Sequence, residues 1–188
     1  MIEHEVLLEL NEALRLFVND ENSFILIPEV RSNLVYALPN ASKIEEVAGI
    51  PGRITVVKGR AYYCLPPSFG VSDHMARLIL RVMKYEPEIR SGMNVKYYEE
   101  IVNIIQDKFI YDRKVEPKEV KEKERESMRF MIDYITGNFK RIPKFIIDLG
   151  DYGKEPLIYI LGKNPIDVVR EALNLAEIIF KNLDKGKI

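Results

Sequence analysis

A chain of 188 residues is long enough for one domain with its own core and needs no disulfide or metal staple. Its 28 Lys and Arg stand against 29 Asp and Glu, which excludes a global field for gathering nucleic acid while leaving room for a local basic pocket. The single cysteine, Cys64, excludes a disulfide framework and a cysteine-based zinc site, and no run has the length of a signal peptide or membrane span. A cytoplasmic protein with neither nucleic acid nor membrane as partner is expected. Along the chain, Val6, Leu10, Ala13, Leu14 and Phe17 recur at the spacing of one helix face, predicting a helix over 2–19. FILIPEV, from Phe24 to Val30, reads as a short buried strand, and SNLVYALP as a second, stopped by Pro39 and Asn40. Ser42 and Glu45 form a capping-box pattern for a short helix over 42–49. Gly49, Pro51 and Gly52 break it, and residues 54–65 read as a hairpin turning at Lys58-Gly59. The apolar run AYYCLPP marks Cys64 as a buried structural thiol.

From Ser72 the period changes. Met75, Leu78, Ile79, Val82 and Met83 share one helical face, and Pro87 ends that helix. A loop containing SGMN leads to a helix over roughly 97–108 with Ile101, Ile104 and Ile105 inward. FIYDR is a strand, and the charged segment 115–128 is the start of a solvated helix. PKFIIDLGD and PLIYILG are two further strands around a glycine-bearing turn. Asn164 and Pro165 open the last helix as N-cap and first helical residue, with Asp167 near its positive end. Strands and helices alternate irregularly around at least one hairpin. The fold class is therefore α/β, in layers over a mixed sheet, as one domain over 1–188.

Ser72 is the natural N-cap of the helix that follows, which puts His74 in its first turn, on a stripe with Arg77 and Arg81 off the core. The free N–H groups and dipole of such a turn favour an anion. Pro66, Pro67 and Gly70 shape a loop whose backbone, with the Ser68 and Ser72 hydroxyls, can surround a phosphate. The positive helix end also keeps a histidine neutral and able to hydrogen-bond. A plain surface or capping histidine fits the same pattern, and the pattern leaves both open. Three other polar turns adjoin buried strands: one with Ser32 and Asn33, one with Arg53, and GDYGKEP with Lys154 behind two glycines. No GxxxxGK[ST] is present, so a P-loop is excluded. Each turn alone is ordinary turn chemistry, but several could converge at one end of a sheet. One internal histidine argues against a zinc site, whereas magnesium held through substrate phosphates leaves no signature. Metal ligands stay unassigned, and Asp73 and Asp148 read as capping and strand-closing residues.

IPEVRSNLVYALPNA, EEVAGIPGRI, PPSFGVSDHMARLIL, IRSGMNVKYYEEI and GDYGKEPLIYILGKNPIDVV, in this order, closely resemble the ThiN family. These are archaeal-type thiamine-phosphate synthases, often the C-terminal domain of a fusion with hydroxymethylpyrimidine kinase. The resemblance runs from about Leu10 to Leu183, with one departure, Arg31 where the family pattern has glycine. It implies a three-layer α/β/α sandwich around a mixed sheet, similar to class II (fuculose-phosphate type) aldolases. It implies condensation of hydroxymethylpyrimidine diphosphate with hydroxyethylthiazole phosphate to thiamine phosphate and pyrophosphate, with Mg²⁺ held mainly through the diphosphate. Arg53 and His74 match the arginine and histidine that related thiamine-responsive repressors lack, and so become the catalytic pair. Ser32, Asn33, Ser68, Gly70, Ser72, Asn94, Lys96 and Lys154 become substrate- and phosphate-binding candidates. Small-molecule substrates are the implied partners, with a fused kinase domain and a homodimer left open. The alternative is a non-catalytic domain that senses thiamine phosphate or its precursors. The intact pair, and at most one helix ahead of the first strand where a DNA-binding helix-turn-helix would sit, favour the enzyme. An aldolase would need a metal-binding histidine cluster that this sequence lacks.

Overall fold

A computed structural model describes residues 2–184. Helix α1, Ile2–Asn19, buries Val6, Leu10, Ala13, Leu14 and Phe17, the stripe that its spacing predicts. Then come β1, Leu34–Ala37, β2, Val47–Gly49, the hairpin β3, Thr55–Val57, with β4, Arg60–Tyr62, and the short β5, Ser68–Phe69. Helix α2 spans His74–Met83, strand β6 Ser91–Lys96, and the single turn α3 Glu99–Val102. Strand β7, Lys108–Tyr111, is followed by α4, Lys118–Lys121, and α5, Glu124–Phe139. The chain closes with β8, Phe145–Asp148, β9, Leu157–Gly162, and α6, Pro165–Asp184.

Seven strands form one sheet in the order β5-β2-β1-β6-β9-β8-β7. All neighbours are antiparallel except β7 and β8, so the sheet is mixed. The parallel pair is joined by the crossover through α4 and α5, as a parallel pair requires. One sheet face packs Leu34, Met93, Ile147 and Ile158 against α1 and α6. The other packs Val35, Ile146 and Tyr159 against α2 and α5. The result is the three-layer α/β/α sandwich with a mixed sheet that the resemblance implies.

Several elements differ from their sequence expectations, for local reasons. FILIPEV is not a strand: Ser23–Leu26 is a 3-10 turn, because Ile25 and Ile27 donate to the carbonyls of Asn22 and Phe24 rather than to a neighbouring strand. Residues 42–49 form a 3-10 turn, Ile44–Glu46, and then β2. Lys43, not Ser42, is the N-cap, and Glu46, not Glu45, closes the capping box, accepting the Lys43 N–H at 3.3 Å and also the Ser42 N–H at 2.8 Å. The SGMN segment is no loop but the middle strand of the sheet, β6. Its residue types are poor strand formers, but each meets a need of that position. A Cβ on Gly92 would lie 2.9 Å from Ile79 Cδ1 and 3.1 Å from Leu161 Cδ2, so α2 can approach the sheet only over a glycine. Ser91 Oγ donates to the Val35 carbonyl at 2.8 Å. The helix expected over 97–108 is one turn, after which Ile105 is buried and Ile104 half exposed. Cys64 is exposed, on the way out of the hairpin, and not a core thiol. The hairpin itself turns at Lys58 and Gly59, with φ of 51° and 72°, a backbone that suits the right-handed twist of two short strands.

Candidate active site

The N-terminal ends of α2 and α5 converge over one end of the sheet, above a cavity of about 460 Å³. Its floor is Tyr159 of β9 and Asn94 of β6, and its rim is the turns carrying Arg31, Arg53 and Lys154. Six basic side chains line it (Arg31, Arg53, Arg77, Arg113, Arg125 and Lys154) against two acidic ones, Asp73 and Glu155. Neither acidic group is free. Asp73 pairs with Arg77 at 2.9 Å, and the Glu155 carboxylate accepts the N–H groups of Glu29 and Val30 at 3.0 Å each. With two helix N-termini added, the charge balance of the cavity favours an anion.

His74, Arg53, Asn33, Ser72, Asn94 and Lys154 are brought together here from distant parts of the chain. Ser32, Ser68, Gly70 and Lys96 do not line the cavity. Ser32 is buried at the bridge to Ile54, Ser68 and Gly70 belong to the sheet's edge, and Lys96 lies over the Tyr98 ring. Ser72 makes no capping bond. The α2 N-cap is Asp73, whose carboxylate turns to Arg77 instead of to the helix. Asn33 and Asn94 are already occupied by backbone. The Asn33 amide brackets Ile50, accepting its N–H at 2.9 Å and donating to its carbonyl. Asn94 accepts the Asn33 N–H at 2.8 Å and donates to the Arg31 carbonyl at 2.9 Å. They hold the arginine turns in place. Arg31 keeps a glycine-type backbone, with φ of 68°.

His74 does not point away from the core. Its Nε2 lies 2.9 Å from the hydroxyl of Tyr159, a fully buried residue of the central sheet. Burial, then the positive charges of Arg113 and Arg53, push the imidazole pKa down to about 4. The group is therefore neutral at pH 7. An unfolded histidine takes its proton near 6.5, so the folded state loses ground as pH falls from 6.5 to 4 and loses no more from this group below that. The loss at pH 4.5 is about 2–3 kcal/mol. Urea midpoints of the native chain and His74→Gln at pH 7 and 4.5 check this, the variant showing the smaller drop.

Behind His74 stands a cluster that the sequence did not signal. Arg113, just beyond β7, is buried and donates through Nε and Nη2 to Asp148, the shortest of these contacts being 2.6 Å. Its Nη1 donates to Glu116 Oε1 at 3.0 Å and to Ser127 Oγ at 2.7 Å. The guanidinium also adjoins the Tyr159 oxygen, and burial raises the tyrosine pKa far above its usual range. Tyr111 donates to Glu116 at 3.0 Å, which closes the network. Asp148 ends β8 and Arg113 opens the 3-10 turn that follows β7, and the parallel register of the two strands, Tyr111 opposite Asp148, sets them side by side.

The model of the family "Thiamine-phosphate synthase ThiN" matches residues 9–174. The chain belongs to the ThiN family. It is 38% identical to the thiamine-phosphate synthase ThiN of Methanothermobacter thermautotrophicus, over 93% of this chain and 90% of that one. It is 36% identical to the bifunctional thiamine biosynthesis protein ThiDN of Methanocaldococcus jannaschii, covering 86% of this chain and 38% of that longer protein. ThiN-type domains are thus found both nearly alone and within a larger protein. Among solved structures, the C-terminal domain of phosphomethylpyrimidine kinase superposes with a TM-score of 0.84 at 37% identity, over 92% of this chain and 98% of that one. An aldolase II superfamily protein from Pseudomonas syringae, 12% identical, shares the fold at a TM-score of 0.51, over 98% of this chain and 78% of that one. The aldolase-like layering expected from the resemblance is therefore present. No helix of the described residues is long and apolar enough to cross a membrane.

Proposed function

We propose that this ThiN chain is a thiamine-phosphate synthase, joining hydroxymethylpyrimidine diphosphate to hydroxyethylthiazole phosphate. The observation that carries the reading is the meeting of Arg53 and His74 in one cation-rich cavity at two helix N-termini. In the reaction the thiazole nitrogen forms a bond to the methylene carbon of the pyrimidine. The bond from that carbon to oxygen breaks, and pyrophosphate leaves with the electron pair. The electron-rich aminopyrimidine stabilises positive charge on the carbon, so the protein's tasks are to hold the two reactants in line and to stabilise the departing anion. Arg53 suits the second task, because its planar fork meets two phosphate oxygens at once. His74 serves as a neutral donor. With the Tyr159 hydroxyl donating to Nε2, the ring proton sits on Nδ1, available to a diphosphate oxygen.

Among the described residues no three His, Cys, Asp or Glu side chains stand together as metal ligands. Of the cavity carboxylates, Glu155 is taken by backbone N–H groups and Asp73 by Arg77. This donor set suits a magnesium ion held by substrate oxygens and water rather than by protein carboxylates, and such an ion would neutralise part of the diphosphate charge. The biosynthetic chemistry supports a cytoplasmic setting. The test is incubation of the protein with both substrates and Mg²⁺, followed by assay for thiamine phosphate and pyrophosphate. Tight binding of thiamine phosphate without turnover would replace the synthase with a sensor.

A further inference from the structure

Arg31 has no part in the steps above, yet the backbone leaves its ordinary range to present it. Its φ is 68°, and that of Arg53 is 66°. Both lie in the left-handed region, which disfavours any residue with a side chain and favours glycine. The two arginines occupy matching places. Each closes a four-residue turn through its own N–H, Arg31 onto the Pro28 carbonyl at 2.9 Å and Arg53 onto the Ile50 carbonyl at 3.0 Å. Each also immediately precedes one member of the Ser32–Ile54 antiparallel bridge. The Arg53 guanidinium crosses to the Val30 carbonyl at 2.7 Å and so ties one turn to the other.

The Arg31 turn is also held from behind, by Asn94 on the Arg31 carbonyl and by Glu155 on the two preceding N–H groups. Backbone strain that specific bonds maintain, at two arginines facing one cavity, indicates a demand for those side chains. Arg77 and Arg113 are neutralised by Asp73 and by Asp148 with Glu116. Arg31 and Arg53 make no ion pair among the described residues. Both also line a shallow vestibule of about 360 Å³ that adjoins the main cavity, with Glu29 its acidic lining residue.

We propose that Arg31 is a second diphosphate-binding arginine, paired with Arg53 so that each guanidinium takes oxygens of one phosphoryl group. The assignment rests on the synthase reading for its ligand. Two forks rooted on one bridge suit an anion with two phosphoryl groups, whereas a monophosphate is satisfied by one fork.

The test uses the full chain with Arg31→Gly and Arg31→Lys, titrated calorimetrically with inorganic pyrophosphate and with inorganic phosphate, alongside thermal melting. Arg31→Gly is expected to melt at or above the native temperature, since glycine accepts the backbone, and to bind pyrophosphate at least about tenfold more weakly. Its loss for phosphate is expected to be smaller, and Arg31→Lys, which keeps the charge without the fork, falls between. Unchanged pyrophosphate affinity in Arg31→Gly overturns the proposal, as does an equal loss for both anions. A lower melting temperature overturns its premise of strain. Thiamine phosphate formation by the native chain separates the two readings. If no product forms but pyrophosphate binding depends on Arg31, the synthase fails and the pairing stands. If product forms and Arg31→Gly binds pyrophosphate normally, the pairing alone fails.

Discussion

His74→Ala is expected to lower kcat for thiamine phosphate formation by about 10²–10³, and Arg53→Gly by a similar factor, with the fold of both intact. The size follows from what is removed, a fixed donor directed at charge that develops only as pyrophosphate departs. Alanine at His74 leaves the apolar stripe of α2 untouched, since Met75, Leu78, Ile79, Val82 and Met83 carry its packing. Glycine is the informative replacement for Arg53, because it accepts a φ of 66° while deleting the guanidinium. Arg53→Lys should restore only part of the rate, as an ammonium lacks the two-pronged geometry. If both residues act on the same leaving group, the double variant will lose less than the product of the single losses. Steady-state rates, with near-ultraviolet circular dichroism as a check on folding, decide the matter. Rates within threefold of the native enzyme for either folded variant would remove that residue from the reaction.

What the sequence revealed and what it hid divide along physical lines. Helices with a one-sided stripe, α1 and α2, were legible because periodicity reports burial directly. The Lys58-Gly59 hairpin was legible because its turn demands left-handed residues. The start of α6 was legible because Asn164 and Asp167 satisfy its first turn reciprocally, at 2.7 and 2.9 Å. The middle strand β6 was hidden because Ser91, Gly92 and Asn94 answer to neighbours distant in sequence: the Val35 carbonyl, the Ile79 side chain and the Arg31 turn. In the site, Arg53 and His74 could be singled out by turn and helix-start chemistry together with the family motifs. Tyr159 could not, since in PLIYILG it reads as one more buried strand residue and only the fold brings its hydroxyl to His74. A polar-tipped aromatic inside an apolar strand is the one signal that could have raised it. Arg113 gave even less warning, as its partners lie 3, 14 and 35 residues away.

That concealed arginine carries the largest expected effect on stability. Arg113→Met should cost about 3–5 kcal/mol and lower the melting temperature by about 10 °C or more, because it strands Asp148 and Glu116 in the interior without a cation. Both carboxylates are almost fully buried and Glu116 Oε2 already has no partner, so neither can turn to solvent for relief. The cost belongs to the uncompensated charges and not to the loss of arginine itself. Adding Asp148→Asn and Glu116→Gln to Arg113→Met should therefore recover at least half of the loss. A drop of less than about 3 °C in the single variant would mean that water reaches the cluster and that its bonds count for little. The recovered triple variant then separates stability from function. It folds but lacks the guanidinium beside the Tyr159 oxygen, the contact that in the proposed tautomer leaves the tyrosine proton for His74 Nε2, 2.9 Å away. Its activity should stay below that of the native chain, and the ring proton of His74, observed by nitrogen NMR, should no longer be confined to Nδ1. Native activity in the triple variant would make Arg113 a structural support alone. A reduced rate with a redistributed tautomer would make the buried cluster the element that sets His74 for the reaction.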